Sequence, residues 1–126
     1  MTRKRTAGPT DREGEILAIL WDTEQADVEQ IRKRLKGKPT ANTVRTLLTI
    51  MMDRGLVQDD GKAYRRTYSA RIPKQDVQRS AVRRLLQTLF AGSAEEMILH
   101  LVDAGEVDAT KLAELQARLA RDARSK

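Results

Sequence analysis

Apolar positions recur at helical spacing in three segments before residue 55. They give way to short strand-like runs between 56 and 69 and return to helical spacing from 73 onward. The most strongly marked segment is Thr40 to Gly55. There Val44, Leu47, Leu48, Met51 and Met52 fall on one side of a helix, and Asn42, Arg45, Thr46, Thr49 and Asp53 on the other. Thr40 is placed to cap its start, and Gly55 to supply the left-handed residue that ends it. Upstream, Thr10 with Glu13 makes a capping-box pattern ahead of Ile16, Leu17, Ile19, Leu20 and Trp21, which predicts a first core helix. Asp27 with Gln30 repeats the pattern around Val28, Ile31 and Leu35, a short second helix ending near Lys36-Gly37-Lys38-Pro39.

After Gly55 the period changes. Leu56-Val57-Gln58 and Tyr64 to Ser69 read as strands, and Asp59-Asp60-Gly61-Lys62 between them is turn chemistry, so a β-hairpin is expected. Three helices and a hairpin, with a tight polar turn before the third helix, is the order of a winged helix-turn-helix, whose third helix enters the major groove. The outer face of that helix suits the role. Solvated helix faces usually carry Glu and Lys, whereas Asn42, Thr43, Thr46 and Thr49 are mediocre helix formers that offer short donor and acceptor groups beside Arg45. These five residues, with Lys62, Arg65 and Arg66 near the hairpin tip, are the candidate contacts to double-stranded DNA. The helix is expected to read base edges and the hairpin to straddle the phosphate backbone.

From Pro73, helical spacing links Val77, Ala81, Val82, Leu85, Leu86, Leu89 and Phe90 until Gly92. Ser93 with Glu96 opens a further helix bearing Met97, Ile98, Leu101 and Val102 and ended by Gly105. Asp108 caps a last one with the seam Leu112, Leu115 and Leu119. Three amphipathic helices in about 50 residues make a poor core of their own. A second copy of the chain is therefore expected to cover Leu85, Leu86, Leu89, Phe90, Met97, Leu101, Leu112, Leu115 and Leu119. The expected fold class is mainly α with a small β-hairpin. It comprises a basic arm (1–9), a winged helix-turn-helix domain (10–73) and a three-helix dimerisation domain (74–126).

Charge strengthens this reading. The net charge is +6, and residues 1–73 hold 15 Lys/Arg against 10 Asp/Glu, whereas residues 74–126 hold 9 against 8. The basic excess therefore lies with the part expected to meet a polyanion, and it includes Arg3, Lys4 and Arg5 of an arm expected to be flexible and able to touch backbone or minor groove. Aromatic residues are limited to Trp21, Tyr64, Tyr68 and Phe90, so the core must be aliphatic. The absence of Cys excludes disulfides, thiolate metal sites and Cys nucleophiles, and one histidine, His100, cannot build a multi-His metal site. No cofactor or metal is expected. The longest apolar run, Ile16 to Trp21, is far too short to span a bilayer, and no apolar stretch follows the basic first residues. Neither membrane insertion nor a signal peptide is expected, and the default location is cytoplasmic.

Five segments together resemble the penicillinase-repressor (BlaI/MecI/CopY) group of winged-helix regulators. They are Glu13-Gly14-Glu15-Ile16-Leu17-Ala18-Ile19-Leu20-Trp21, Thr43-Val44-Arg45-Thr46-Leu47-Leu48, Asp53-Arg54-Gly55-Leu56-Val57, Tyr68, and Leu89-Phe90-Ala91-Gly92-Ser93. The resemblance implies a homodimeric repressor on a palindromic operator, with C-terminal helices intertwined between subunits. It also implies derepression through a membrane sensor metalloprotease system, leading to cleavage in the helix after Gly92-Ser93, at the position matching His100-Leu101. Two departures stand out. Ile50-Met51 occupies the place where the family commonly carries Arg-Leu, which removes one phosphate- or base-contacting Arg, and the C-terminal Cys pairs of the copper-responsive branch are missing.

A winged helix used only as a protein-interaction module is the competing reading. It calls for an apolar outer face on the third helix, and Ile50 alone hints at one. An enzyme is not expected. No nucleophile and base are paired, no Gly-rich phosphate loop follows a strand, and Glu95-Glu96 and Asp59-Asp60 are accounted for as helix-start and turn residues.

Overall fold

The computed structural model describes residues 8–124. The arm residues Arg3, Lys4 and Arg5 lie outside the described residues. The chain divides into two compact units, one up to Ala81 and the other from Val82.

The first unit begins with α1 (Asp11–Thr23), α2 (Val28–Arg34) and α3 (Ala41–Asp53). Each starts where a side chain satisfies an otherwise unpaired backbone N–H. The Glu13 N–H donates to Thr10 Oγ1 at 3.2 Å and the Thr10 N–H donates back to Glu13 Oε1 at 2.9 Å. Asp27 and Gln30 repeat this reciprocal box at 2.8 Å in both directions, and the Thr43 N–H donates to Thr40 Oγ1 at 3.2 Å. α3 closes at Gly55, whose φ of 77° is cheap only without a Cβ. The Leu56 N–H reaches the Met51 carbonyl at 2.9 Å and the Gly55 N–H the Met52 carbonyl at 3.0 Å, the double bond pattern of a left-handed helix end.

The sheet has three strands, one more than the hairpin expected. β1 (Ala26–Asp27) pairs antiparallel with β3 (Thr67–Ala70), and β3 pairs with β2 (Val57–Asp59) on its other side. β1 is two residues long, too short to leave an alternating pattern, and its Asp27 also serves as the cap of α2. It covers what would otherwise be an open edge of β3. The second strand also starts later than expected, at Thr67 rather than Tyr64, because residues 60–66 form a loop held by its own side chains.

Ile16, Leu17 and Leu20 of α1, Ile31 of α2, and Val44, Leu48 and Met51 of α3 are buried together with Leu56, Val57 and Tyr68. Leu47 and Met52 are half-buried at the margin of this aliphatic core. The indole N–H of Trp21 donates to the Ile72 carbonyl at 3.0 Å and fastens the end of the sheet segment to α1. One link across the unit was invisible in the spacing of the sequence. Arg54, at the end of α3, donates to the buried carboxylate of Glu13 at the start of α1 at 2.5 Å and to the Gly8 carbonyl at 3.1 Å. The end of α3 is therefore tied to the start of α1 by charge as well as by packing.

Three helices follow: α4 (Lys74–Leu89), α5 (Ala94–Asp103) and α6 (Ala109–Arg124). The division between the two units falls inside α4. The Glu96 N–H donates to Ser93 Oγ, the Lys111 N–H donates to Asp108 Oδ1, and α5 closes at Gly105 with the same double bond pattern as α3. No residue of α4 or α5 is buried.

Candidate nucleic-acid interface

α3 turns Val44, Leu48 and Met51 into the core, which leaves Asn42, Thr43, Arg45, Thr46, Thr49 and Ile50 exposed on its outer side. All five candidates on this helix therefore share one solvent-facing surface. Their hydrogen-bonding capacity is not equally available. The Arg45 guanidinium donates to Asn42 Oδ1 at 3.2 Å, so these two present a joined pair whose remaining donors face outward. The Thr43 hydroxyl accepts from Thr40, and the Thr49 hydroxyl is turned back onto the Arg45 carbonyl at 3.0 Å. The Thr46 side chain makes no hydrogen bond among the described residues, leaving its hydroxyl able to donate or accept.

The loop between β2 and β3 carries the other three candidates of this unit. Asp59 and Asp60 accept the N–H groups of Gly61 and Lys62, and the Asp60 carboxylate also accepts the Thr67 hydroxyl at 3.0 Å. The Lys62 N–H is the main reason the Asp60 carboxylate sits below its usual range. Partial desolvation opposes this and the Thr67 donors reinforce it. A carboxylate with a lowered pKa stabilises the fold above its unfolded value and loses that contribution as pH falls through the folded one. The wing tip therefore keeps this hold at neutral pH.

The three basic residues of the wing differ in freedom. Arg66 is tied down by the Lys62 carbonyl at 2.7 Å and by Asp59 at 3.3 Å, which makes it a latch of the loop. Arg65 has a φ of 53° and lies over the exposed Tyr64 ring at 5.8 Å, so its charge is presented outward with that of Lys62.

The candidate list leaves out the turn into α3. Lys36 and Lys38 are exposed there, flanking Gly37 and leading straight into the Thr40 cap. Both were visible in the sequence as a Lys-Gly-Lys run, but the turn chemistry of the stretch masked its charge. By contrast, Arg32 is engaged by both carboxylate oxygens of Glu29, and Arg34 by Asp22. Among the described residues no group of His, Asp and Glu side chains could hold a metal ion, and no helix is long and apolar enough to cross a membrane.

The second unit carries the remaining candidates. Leu85, Leu89, Leu101, Leu115 and Leu119 are exposed, while Leu86, Phe90, Met97 and Leu112 are half-buried. Val82, Ile98 and Leu99 add exposed apolar surface that the seam positions did not include. The His100 ring meets Phe90 edge-on at 5.4 Å, and Leu101 follows it in the last turn of α5.

Three helices packed over a small sheet, an exposed hydrogen-bonding face on the third, and a basic loop beside it define a winged helix-turn-helix protein followed by a helical region. The family model described as penicillinase repressor matches residues 9–121, nearly the whole chain, and the protein belongs to that family of DNA-binding transcriptional repressors. No curated protein matches the chain.

Proposed function

We propose that the protein represses transcription as a homodimer on a palindromic operator in the cytoplasm. Residues 10–73 bind DNA and residues 74–126 hold the two copies together. The observation that carries the DNA half is the outer face of α3, where a helix locked at both ends presents the Asn42–Arg45 pair and an unengaged Thr46. Lys36, Lys38, Lys62 and Arg65 flank that face as phosphate contacts, and each of Thr43 and Thr49 contributes a methyl group and half of a hydroxyl's capacity, Thr43 as a donor and Thr49 as an acceptor. The dimer half rests on exposed leucines: Leu89 is 75% and Leu119 68% accessible, more apolar exposure than a stable monomer surface favours.

Control by a membrane sensor metalloprotease system, with cleavage at His100-Leu101, fits the same geometry. A protease needs an extended strand, so part of α5 must open. No residue of α5 is buried within the single chain, so the packing that opening would break is that of Met97 and Leu101 against the second copy.

The recognition surface is tested on a palindromic duplex recovered from a random pool by the full-length protein. Thr46→Ala and Arg45→Ala are each expected to weaken binding to it by about 1–3 kcal/mol while leaving a scrambled duplex nearly unaffected. Equal losses on both duplexes assign these residues to phosphate positioning, and no loss on either moves recognition off α3. The wing is read by salt dependence. Arg65→Ala is expected to weaken binding to all sequences alike and to reduce the slope of log K against log salt by about two, one for each copy in the dimer. An unchanged slope removes Arg65 from the interface.

A further inference from the structure

Among the described residues of the first unit, only two large apolar side chains are exposed, and they sit on the two elements proposed above to face DNA: Tyr64 on the wing and Ile50, 44% accessible, on α3. Tyr64 is accounted for by the Arg65 guanidinium above it. Ile50 has no such partner. It lies one helical turn beyond Thr46 on the outer side of α3, opposite the buried Val44, Leu48 and Met51, so the core does not require an apolar residue there. Helix propensity does not favour it either, because a β-branched side chain on an exposed helix face is a mediocre choice. Its restricted χ1 nevertheless holds the apolar end of the side chain in a fixed place.

We infer that Ile50 is a specificity-determining residue that reads the 5-methyl group of a thymine in the major groove. Thymine is the one base that presents an apolar group there, and Ile50 continues the surface formed by Asn42, Arg45 and Thr46. Its four-residue offset from Thr46 is about 6 Å along the helix axis, close to two base-pair steps. The thymine therefore lies one or two pairs beyond the base facing Thr46, once in each half-site.

This inference rests on the DNA-binding reading above, and the two can fail separately. The full-length protein first selects a duplex from a random pool, and each thymine of that duplex is then replaced in turn by uracil, which removes only the methyl group. One thymine per half-site is expected to weaken wild-type binding roughly fourfold when replaced, the effect of leaving one methyl-sized contact unmade. Ile50→Ala is expected to bind the thymine and uracil duplexes equally, and Ile50→Val, which keeps a branched apolar end, to retain part of the preference. If no uracil replacement weakens the wild type, or if Ile50→Ala shows the same loss as the wild type, Ile50 is not the reader, and an apolar contact to another protein becomes its better explanation. A selected half-site without thymine overturns the inference as well. If the pool yields no preferred duplex at all, the specific-repressor reading fails first and this one falls with it.

Discussion

Leu115→Glu is expected to convert the protein to monomers at micromolar concentration and to weaken binding to a two-half-site duplex by about two orders of magnitude. Leu115 lies in the middle of the α6 seam, between Leu112 and Leu119, and is itself 38% accessible in the single chain. Burying the surface it still exposes contributes on the order of 1 kcal/mol, and a symmetric interface contains the position twice. The substituted carboxylate adds a desolvation penalty to that loss, at each of its two occurrences. The loss on DNA follows without any change in the recognition surface. Two winged helices joined in one dimer engage the second half-site at a high effective concentration, and monomers must bind it independently. Binding to an isolated half-site is accordingly expected to stay the same, which separates lost dimerisation from misfolding. The check is sedimentation velocity combined with titration on one and two half-sites. A wild-type protein that sediments as a monomer, or a Leu115→Glu variant that stays dimeric, removes α6 from the proposed interface.

What could be read from the sequence was local. The boxes at Thr10/Glu13 and Asp27/Gln30 and the Thr40 cap are each made of residues three apart, so the pattern in the chain is the pattern in space. The core face of α3 was legible for a similar reason, since burial of Val44, Leu48 and Met51 repeats with the helical period. Contacts between distant residues left no such trace. β1 pairs with a strand some forty positions further on, as Ala26 does with Tyr68, and two residues cannot display a period. Arg66 carried the same charge as Arg65 in the sequence, yet its carboxylate and carbonyl partners turn it into part of the wing's frame. The candidate DNA surface was thus legible as a set of residues, but not as a division between groups that are free and groups already engaged. In the C-terminal helices the apolar period showed which faces want covering and carried no information about what covers them.

Arg54→Ala is expected to be among the most destabilising single changes in the winged-helix unit, at about 2–3 kcal/mol. Glu13 is 3% accessible, and its carboxylate has two described partners, the Thr10 N–H and the Arg54 guanidinium. Removing Arg54 leaves a buried negative charge held by one backbone donor alone, the situation in which breaking an ion pair is most harmful. Arg54 keeps 17% of its side-chain surface in contact with solvent, so water can enter the vacated space, which places the expected loss below the range for a fully buried pair. Glu13→Gln should be milder, because its amide oxygen can still accept the Thr10 N–H while Arg54 keeps the Gly8 carbonyl. The double variant Glu13→Gln/Arg54→Ala should then recover much of the Arg54→Ala loss, since no buried charge remains to be left unpaired. In a unit of this size the single Arg54→Ala change corresponds to a fall in melting temperature on the order of 10 °C. DNA affinity is expected to fall as well, because the pair ties the end of α3 to the start of α1 and so helps fix the angle at which Asn42, Arg45 and Thr46 meet the groove. Thermal melts of the four proteins in the cycle provide the measurement. If Arg54→Ala melts within a degree or two of the wild type, or if the double variant loses the sum of the two single changes, the pair is not what holds α3 against α1.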